Sequence, residues 1–218
     1  VEVNVMEAFM KVASGQPIQT PYLLNDMAAD AAGILDAMGI AKAHIVGASM
    51  GGMIAQLVAI NHPQKASSLT SIMSTTGRRD LPPSKPEAMA VLTQPAPVER
   101  EARIEHTMKV WRIIGSQPVY AASDEELRRI ATGIVDRSPY DPAGIARQLV
   151  AILASPPRNE MLKTVKVPAL VIHGTDDPLV NPEGGKDTAA SIPGARLKMI
   201  PGRSEEHTSE LQSQFRIS

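Results

Sequence analysis

The chain has 218 residues, 43% of them hydrophobic, and a formal net charge of -1, which together permit one sizeable core. The near-neutral charge offers no basic surface for nucleic acid and no polybasic run for a membrane, so we expect neither partner. The chain has no cysteine, which excludes disulfides and thiolate chemistry, and its five scattered histidines do not make a His-rich metal site.

The compartment follows from what the chain lacks. No apolar run approaches the roughly 18 residues that a transmembrane helix needs. No charged segment followed by an apolar one opens the chain as a signal peptide would. We therefore expect a cytoplasmic protein.

The first predicted elements are helical. Residues 3–13 form one helix-like run, and residues 24–38 place their apolar side chains on one helical face. Asn25 or Asp26 is placed to cap the start of the second helix, and Gly39 to end it. The apolar face consists of Met27, Ala31, Ile34, Leu35 and Met38.

Buried strands and helices come next. Residues 43–46 are a short apolar run before a glycine cluster, and residues 53–60 are apolar on nearly every side. This pattern predicts a buried strand, a tight turn and a buried helix. Because strands and helices alternate, we expect an α/β fold with a mostly parallel sheet. Further strands are predicted over 69–73, 169–172 and 195–200, and a further helix over 182–192.

The middle of the chain, residues 78–157, is predicted to be helical with proline-rich joints and no strand. An all-helical stretch between two sheet strands is most simply a cap laid over the ends of the sheet. Its Met108, Trp111, Ile113 and Ile114 indicate either an apolar pocket wall or the core of the cap itself. The predicted helices cover 98–114, 124–138 and 142–155.

The motif that carries chemistry is Gly47-Ala48-Ser49-Met50-Gly51-Gly52, which fits G-x-S-x-G between a predicted strand and a predicted helix. A serine on such a turn adopts a strained backbone that exposes Oγ, and a side chain at Gly47 or Gly51 is expected to collide across the turn. The helix N-terminus supplies N–H groups, so the amide of Met50 can stabilise an oxyanion. The alternative is a glycine-rich packing turn.

A serine nucleophile needs a base, and the base needs an acid to hold it. After the strand at 169–172, Asp176 and Asp177 lie in a loop at the carboxyl end of a parallel strand, where catalytic groups collect in open α/β sheets. Asp-Asp-Pro is also good turn chemistry, so a solvated turn is the alternative.

The glycine-serine turn followed by VPALVIHGTDDPLV resembles the α/β-hydrolase superfamily over residues 22–202, and HIVGASMGGMIAQLVAINHP resembles its esterase and lipase-like members. The resemblance implies that Ser49 is the nucleophile, that the Met50 N–H is an oxyanion donor and that Asp177 is the acid. Asp176 is then expected to cap the turn. No cofactor is implied. Catalytic residues in the order Ser, Asp, His are what the family requires.

Residues 21–77 are also similar to aclacinomycin methylesterase-type hydrolases. This narrower resemblance implies hydrolysis of a small, apolar carboxylic ester, with the cap choosing the acyl or alcohol group. The expected organisation is a partial α/β-hydrolase fold. Its parts are a first core segment (1–77), a helical cap (78–157), a second core segment (158–202) and a non-native tail (203–218).

None of the first four histidines is a good candidate for the base. His44 is expected in the core of a buried strand, His62 at a helix C-terminus, and His106 on the surface of a cap helix. His173 ends the strand before the acid, whereas the family's base follows the acid. The family places its histidine just after the last strand, where this chain has Glu205, and His207 comes two residues late.

The two ends of the chain carry a further expectation. Residues 203–213 are similar to an in-frame translation of a common short-read sequencing adapter, so we expect the sequence from Arg203 onwards to be foreign to the protein. The alternative is a natural, divergent tail with a displaced base. The chain starts at Val1 and shows only a helix-like run where the family has several strands and an oxyanion loop. We therefore expect an internal, inactive fragment that lacks its catalytic histidine.

The sequence leaves several functions open. The leading hypothesis is a serine hydrolase acting on carboxylic esters. Within the same fold, a lactonase, C–C hydrolase, peptidase or cofactor-free haloperoxidase is an alternative that the cap sequence does not separate. The alternative from another class is a non-catalytic α/β-hydrolase-like protein that binds a ligand.

Overall fold

A parallel four-stranded sheet forms the centre of the protein. The computed structural model describes residues 3–115, 121–137 and 139–202. The strands are β1 (Ala43–Ala48), β2 (Ala66–Ile72), β3 (Ala169–Gly174) and β4 (Arg196–Ile200), and they lie side by side in that order. All three pairings are parallel. The predicted α/β fold with a parallel sheet is thereby confirmed.

Helices connect the strands and cover the sheet. All seven predicted helical segments are found with end points that differ by a few residues, while α4 and the short α8 were not predicted. Each of these two missed helices is eight residues or shorter, too short for an apolar period to show. The helices are α1 (Val5–Ala13), α2 (Leu24–Ala37), α3 (Met50–Asn61), α4 (Pro86–Thr93), α5 (Arg100–Ile114), α6 (Asp124–Arg137), α7 (Pro142–Ala154), α8 (Asn159–Leu162) and α9 (Pro182–Ser191).

Helix α3 is the central helix of the core. It is buried along most of its length, as its apolar sequence predicts. On one side its residues join Leu69 of β2 and Leu162 of α8, and on the other they join Leu24 and Ala28 of α2. Asp26 supports the start of α2 by accepting a hydrogen bond from the Leu23 N–H (2.8 Å), as predicted for this capping position. The turn that carries Ser49 therefore leads into the most buried helix.

The expectation that β1 is a buried strand is wrong. β1 lies at the edge of the sheet, and the side chains of His44 and Val46 are exposed, Val46 by 59%. His44 is hydrogen-bonded through Nδ1 to Oγ of Ser68 on the neighbouring strand (2.8 Å), rather than packed in a core. An apolar strand has the same sequence whether one or both of its sides are covered, which explains the error.

The helices between β2 and β3 form small cores of their own. Ile104 and Met108 of α5 pack against α6, whereas Ile114 packs with α4. The latter cluster also touches Leu179, in the loop that follows β3. Two hydrogen bonds join the same regions, from the Lys85 N–H to the Pro178 carbonyl (2.7 Å) and from Ser84 Oγ to the Leu179 carbonyl. The inserted helices are thus attached to the carboxyl end of the sheet.

Some sequence predictions lie outside the described residues. They concern the tail from Arg203 onwards, including Glu205 and His207, and the last residue of the predicted helix 124–138. In the part of the chain that the structure describes, no helix is long and apolar enough to cross a membrane.

Candidate active site

The turn at Ser49 has a strained backbone. Ser49 stands between β1 and α3 with φ 52° and ψ -121°, a region that non-glycine residues rarely occupy. A Cβ atom at Gly47 would lie 2.0 Å from the carbonyl oxygen of Gly51, so this position accepts only glycine. The G-x-S-x-G pattern therefore has the strand, turn and helix geometry that its chemistry requires.

The expected collision at Gly51 is not found. No atom beyond the helix's own backbone lies within 4 Å of a Cβ built at Gly51, whereas a Cβ at Gly52 would come within 2.6 Å of the Ser74 Cβ. The second steric requirement for glycine thus falls one residue later than predicted. The local sequence does not show it, because Ser74 comes from a different part of the chain, just after β2.

The backbone of Ser49 is held by several hydrogen bonds. Its N–H donates to the Ile72 carbonyl (2.9 Å), which ties the turn to the end of β2. Its carbonyl accepts from the N–H of Gly52 (2.9 Å) and from Oγ of Ser74 (2.9 Å). Met50 is the first residue of α3, and the first N–H groups of a helix have no acceptor within the helix itself. The Met50 amide therefore has the chemistry of an oxyanion donor.

Asp177 is fixed by the loop that it begins. Its Oδ1 accepts hydrogen bonds from the N–H groups of Leu179 and Val180, both at 2.9 Å, and the residue is 3% exposed. Its Oδ2 is buried and accepts no hydrogen bond from the described residues. The prediction that Asp176 caps this turn is wrong, since Asp177 makes the capping bonds. The backbone of the loop therefore holds the Asp177 carboxylate through Oδ1.

His173 lies beside the Asp177 carboxylate, but its ring N–H donates to another acceptor. Its Nε2 is 2.8 Å from the Val180 carbonyl and 3.2 Å from Oδ2 of Asp177. Because a carbonyl oxygen can only accept, Nε2 carries the proton and donates it to Val180. The ring is fully buried, and a Cβ at Gly185 would lie 2.4 Å from its Nδ1. His173 therefore supports the acid loop through the Val180 carbonyl and does not face solvent.

The sheet brings Ser49 and Asp177 to the same edge. Ala48, the residue before Ser49, is in register with Ile72 of β2, which is in register with Ile172 of β3. Both candidate residues follow these positions at the carboxyl end of parallel strands, with one strand between them. Of the histidines in the described ranges, His62 ends α3 as predicted and His106 is half-buried on α5. Neither these nor His44 and His173 offer a base beside both residues.

A buried cation, Arg158, lies where the chain returns from the inserted helices to the sheet. Arg158 is 2% exposed and donates through Nε to Gln56 Oε1 (3.0 Å) and through Nη2 to the Thr75 carbonyl (2.7 Å). Burial lowers the pKa of Arg158 to about 10, so the side chain is still charged at neutral pH. This residue was not singled out from the sequence, where Pro-Pro-Arg resembles any exposed joint.

A second polar cluster closes the same region. Asp187 of α9 accepts from Oγ1 of Thr76 (2.6 Å) and from Nη1 of Arg78 (2.7 Å), and Arg78 also binds Asp80. The hydrogen bonds to Asp80 and Asp187 raise the pKa of Arg78 above its usual value. The first residues after β2 are thus attached to α9.

A cleft of about 730 Å³ lies elsewhere, between α1 and α7. Neither Ser49 nor Asp177 lines it. Its walls carry the Glu7–Lys11 ion pair (2.7 Å), and its other lining residues include Asn4, Ile18, Thr20, Leu23 and Val150. Among the described residues, no group of three or more acidic or imidazole side chains could hold a metal ion.

Comparisons with known proteins agree with the observed fold. A family model described as alpha/beta hydrolase fold matches residues 13–204. Rhodomycin D methylesterase DnrP of Streptomyces peucetius is 30% identical over 202 residues, a match covering 83% of this chain and 66% of that protein. A 2-hydroxy-6-oxononadienedioate/2-hydroxy-6-oxononatrienedioate hydrolase of Burkholderia vietnamiensis is 28% identical, and the match covers 78% of this chain and 58% of that protein.

The fold also matches solved structures. The enol-lactonase from Burkholderia xenovorans superposes with a TM-score of 0.68 at 21% identity, over 92% of this chain and 72% of that one. This chain spans about two thirds or less of the length of the two curated relatives described above.

Proposed function

The chain belongs to the alpha/beta hydrolase fold family, and on that premise we propose that it is a serine hydrolase that cleaves carboxylic esters of small molecules. The observation that carries the proposal is the strained turn at Ser49, with its glycine-only position at Gly47 and its place at a helix N-terminus. Such a turn exposes a hydroxyl beside backbone donors, which is what attack on an acyl carbon needs.

The proposed reaction has two steps. In the first, Oγ of Ser49 attacks the ester carbon, its proton passes to a base, and the carbonyl oxygen becomes an oxyanion that the Met50 N–H stabilises. The C–O bond to the alcohol then breaks, and the alcohol leaves with the proton from the base. In the second step, water attacks the acyl-enzyme, and the acid is released while Ser49 regains its proton.

Asp177 is the proposed acid of this mechanism. Its Oδ1 is occupied by two backbone N–H groups, and its buried Oδ2 accepts no hydrogen bond within the described residues. A free carboxylate oxygen at the sheet edge can hold the tautomer of an imidazole and stabilise its charged form. The absence of the family's histidine base stays a prediction, because the position that holds Glu205 in this chain lies outside the described residues.

An ester is favoured over other substrates by the relatives. DnrP is named a methylesterase, and it is among the most similar proteins compared. Two alternatives to ester hydrolysis stay open within the same serine chemistry, cleavage of a carbon–carbon bond and cleavage of a lactone. They are suggested by the similarity to the hydrolase of Burkholderia vietnamiensis and to the enol-lactonase. We propose that the inserted helices form the cap that chooses the substrate, since they touch Leu179 beside Asp177.

Covalent labelling of Ser49 tests this proposal on the 218-residue chain itself. A fluorophosphonate ester is attacked at phosphorus by Oγ, fluoride leaves, and the serine adduct is counted by intact-mass spectrometry. We expect slow labelling of the chain alone, since losing triad partners costs about 10⁴-fold or more in rate. Added imidazole, which can reach the partly exposed Ser49 and act as a base, is expected to accelerate it.

Two variants make the result decisive. Ser49→Ala should form no adduct, and Ser67→Ala, which removes a serine near the start of β2, should label at the rate of the unmodified chain. An adduct at another residue, or an equal yield from Ser49→Ala, would contradict the nucleophile. A chain that binds ester analogues but forms no adduct even with imidazole would favour the non-catalytic ligand-binding protein.

A further inference from the structure

The hydroxyl of Ser74 touches the same peptide group that carries the proposed oxyanion donor. Oγ of Ser74 donates to the carbonyl oxygen of Ser49 at 2.9 Å. That carbonyl and the N–H of Met50 belong to one planar peptide unit, so they point in opposite directions along it. A hydrogen bond that fixes the direction of the carbonyl therefore also fixes the direction of the Met50 N–H.

The surroundings of Ser74 are shaped to bring this hydroxyl to the turn. Ser74 is 1% exposed, and Gly52 leaves the space that it fills, since a Cβ at Gly52 would be 2.8 Å from its Oγ. The residue before it, Met73, has φ 40°, which bends the chain as it leaves β2. Among the described residues, Ser49 and Met73 are the two non-glycine residues with positive φ. The Ser74 hydroxyl thus links the strained residue that follows β1 to the strained residue that follows β2.

The chain around Ser74 is also held rigidly. The carbonyl of Thr75 accepts from the buried Arg158 guanidinium (2.7 Å), and Oγ1 of Thr76 donates to Asp187 (2.6 Å). A Cβ at Gly184 would lie 2.9 Å from the Thr75 Cβ, so α9 packs tightly against this segment. Because the two residues after Ser74 are both anchored, the Ser74 hydroxyl is held in position. It can therefore fix the direction of the Ser49 carbonyl.

We propose that Ser74 is a positioning residue that orients and strengthens the Met50 oxyanion donor. This rests on the proposed function of Ser49. Accepting a hydrogen bond at the carbonyl polarises the peptide unit, and a polarised amide is a stronger donor at its N–H. The same bond stabilises the strained φ and ψ of Ser49 against relaxation. Ser74 acts through the Ser49–Met50 peptide and touches no substrate atom.

The test compares Ser74→Ala with Ser71→Ala in the full chain, using fluorophosphonate labelling of Ser49 with imidazole present. Ser71 is a matched control because it is equally buried, lies three residues earlier on β2, and is hydrogen-bonded to Gln56 rather than to the turn. Loss of a complete oxyanion donor slows a reaction by about 10²–10³. Ser74→Ala only misdirects the Met50 donor, so we expect it to slow Ser49 labelling about tenfold. Ser71→Ala should stay within about twofold, and Ser74→Thr, which keeps a hydroxyl, should restore most of the rate.

A second measurement separates positioning from simple loss of structure. The ¹³C chemical shift of the Ser49 carbonyl reports the hydrogen bond that it accepts, so it should move in Ser74→Ala and not in Ser71→Ala. If Ser74→Ala does not fold, Ser74→Cys replaces it, since a thiol is a weaker donor of similar shape. Equal labelling rates in Ser74→Ala and the unmodified chain would overturn the inference and leave the proposed function standing. No Ser49 adduct in the unmodified chain would instead remove the proposed function, and the inference with it.

Discussion

The guanidinium of Arg158 donates to the side-chain oxygen of Gln56 at 3.0 Å, and both residues are almost completely buried. Gln56 lies on α3, behind the serine turn, and Arg158 lies where the chain returns from the inserted helices to the sheet. None of the ion pairs among the described residues includes Arg158. A buried charge neutralised only by dipoles depends on each of its hydrogen bonds.

Replacing Arg158 should therefore destabilise the protein. Arg158→Met keeps the length of the side chain but leaves Gln56 Oε1 and the Thr75 carbonyl without this donor, at about 1–3 kcal/mol for each buried unsatisfied group. Part of this loss is offset because the buried charge is removed too, so we expect a net loss of about 2–4 kcal/mol in the free energy of unfolding. Urea denaturation followed by circular dichroism measures it.

The matched control is Arg112→Met. Arg112 is 45% exposed and pairs with Asp124 on the surface, an interaction worth about 0–1 kcal/mol. Equal destabilisation of the two variants would mean that the burial of Arg158 has no energetic consequence.

The three glycines around Ser49 should respond differently to the same change. Gly47→Ala and Gly52→Ala force a Cβ to within 2.0 Å of the Gly51 oxygen and 2.6 Å of the Ser74 Cβ, so both should lose Ser49 labelling and several kcal/mol of stability. Gly51→Ala meets no neighbouring atom and replaces a helical glycine, which favours the fold by about 0.5–1 kcal/mol. Thermal unfolding and labelling rates of the three variants test this order, and a severe defect in Gly51→Ala would contradict the described turn.

The acid loop makes a comparable prediction about His173. His173→Gln can place an amide nitrogen where Nε2 stands and donate to the Val180 carbonyl, whereas the shorter His173→Asn cannot reach it. We expect His173→Asn to lose about 1–3 kcal/mol of stability because a buried carbonyl is left without its donor. His173→Gln should lose clearly less. Urea denaturation compares the two, and hydrogen exchange at the Leu179 and Val180 amides should be faster in His173→Asn.

Much of this arrangement could be predicted from the sequence, and the parts that could not share a cause. The strand before Ser49, the helix after it and the loop at Asp177 are local patterns of apolar spacing and turn residues. The contacts of Ser74 with Ser49 and of Arg158 with Gln56 join residues 25 and 102 positions apart, and no local pattern records them. The edge position of β1 depends on what covers its outer side, which its own apolar residues do not show.

That exposed edge leads to a prediction about self-association. β1 pairs with β2 on one side, and in the part of the chain that the structure describes no strand pairs with its other side. Val46 on this strand is 59% exposed, and Ile34 on α2 is 60% exposed. Open strand edges with apolar side chains promote pairing between chains, and a lysine on such an edge opposes it.

Val46→Lys should therefore reduce the association of the chain, measured as the concentration dependence of the sedimentation coefficient. The control is Val98→Lys, which adds the same charge at a side chain that is 81% exposed and lies outside any strand or helix. Because both variants change the net charge equally, a difference between them reports the edge of β1 rather than general repulsion. If both variants associate to the same extent, the edge is not the contact, and apolar surface elsewhere, such as Met6 and Met10 on α1, becomes the better explanation.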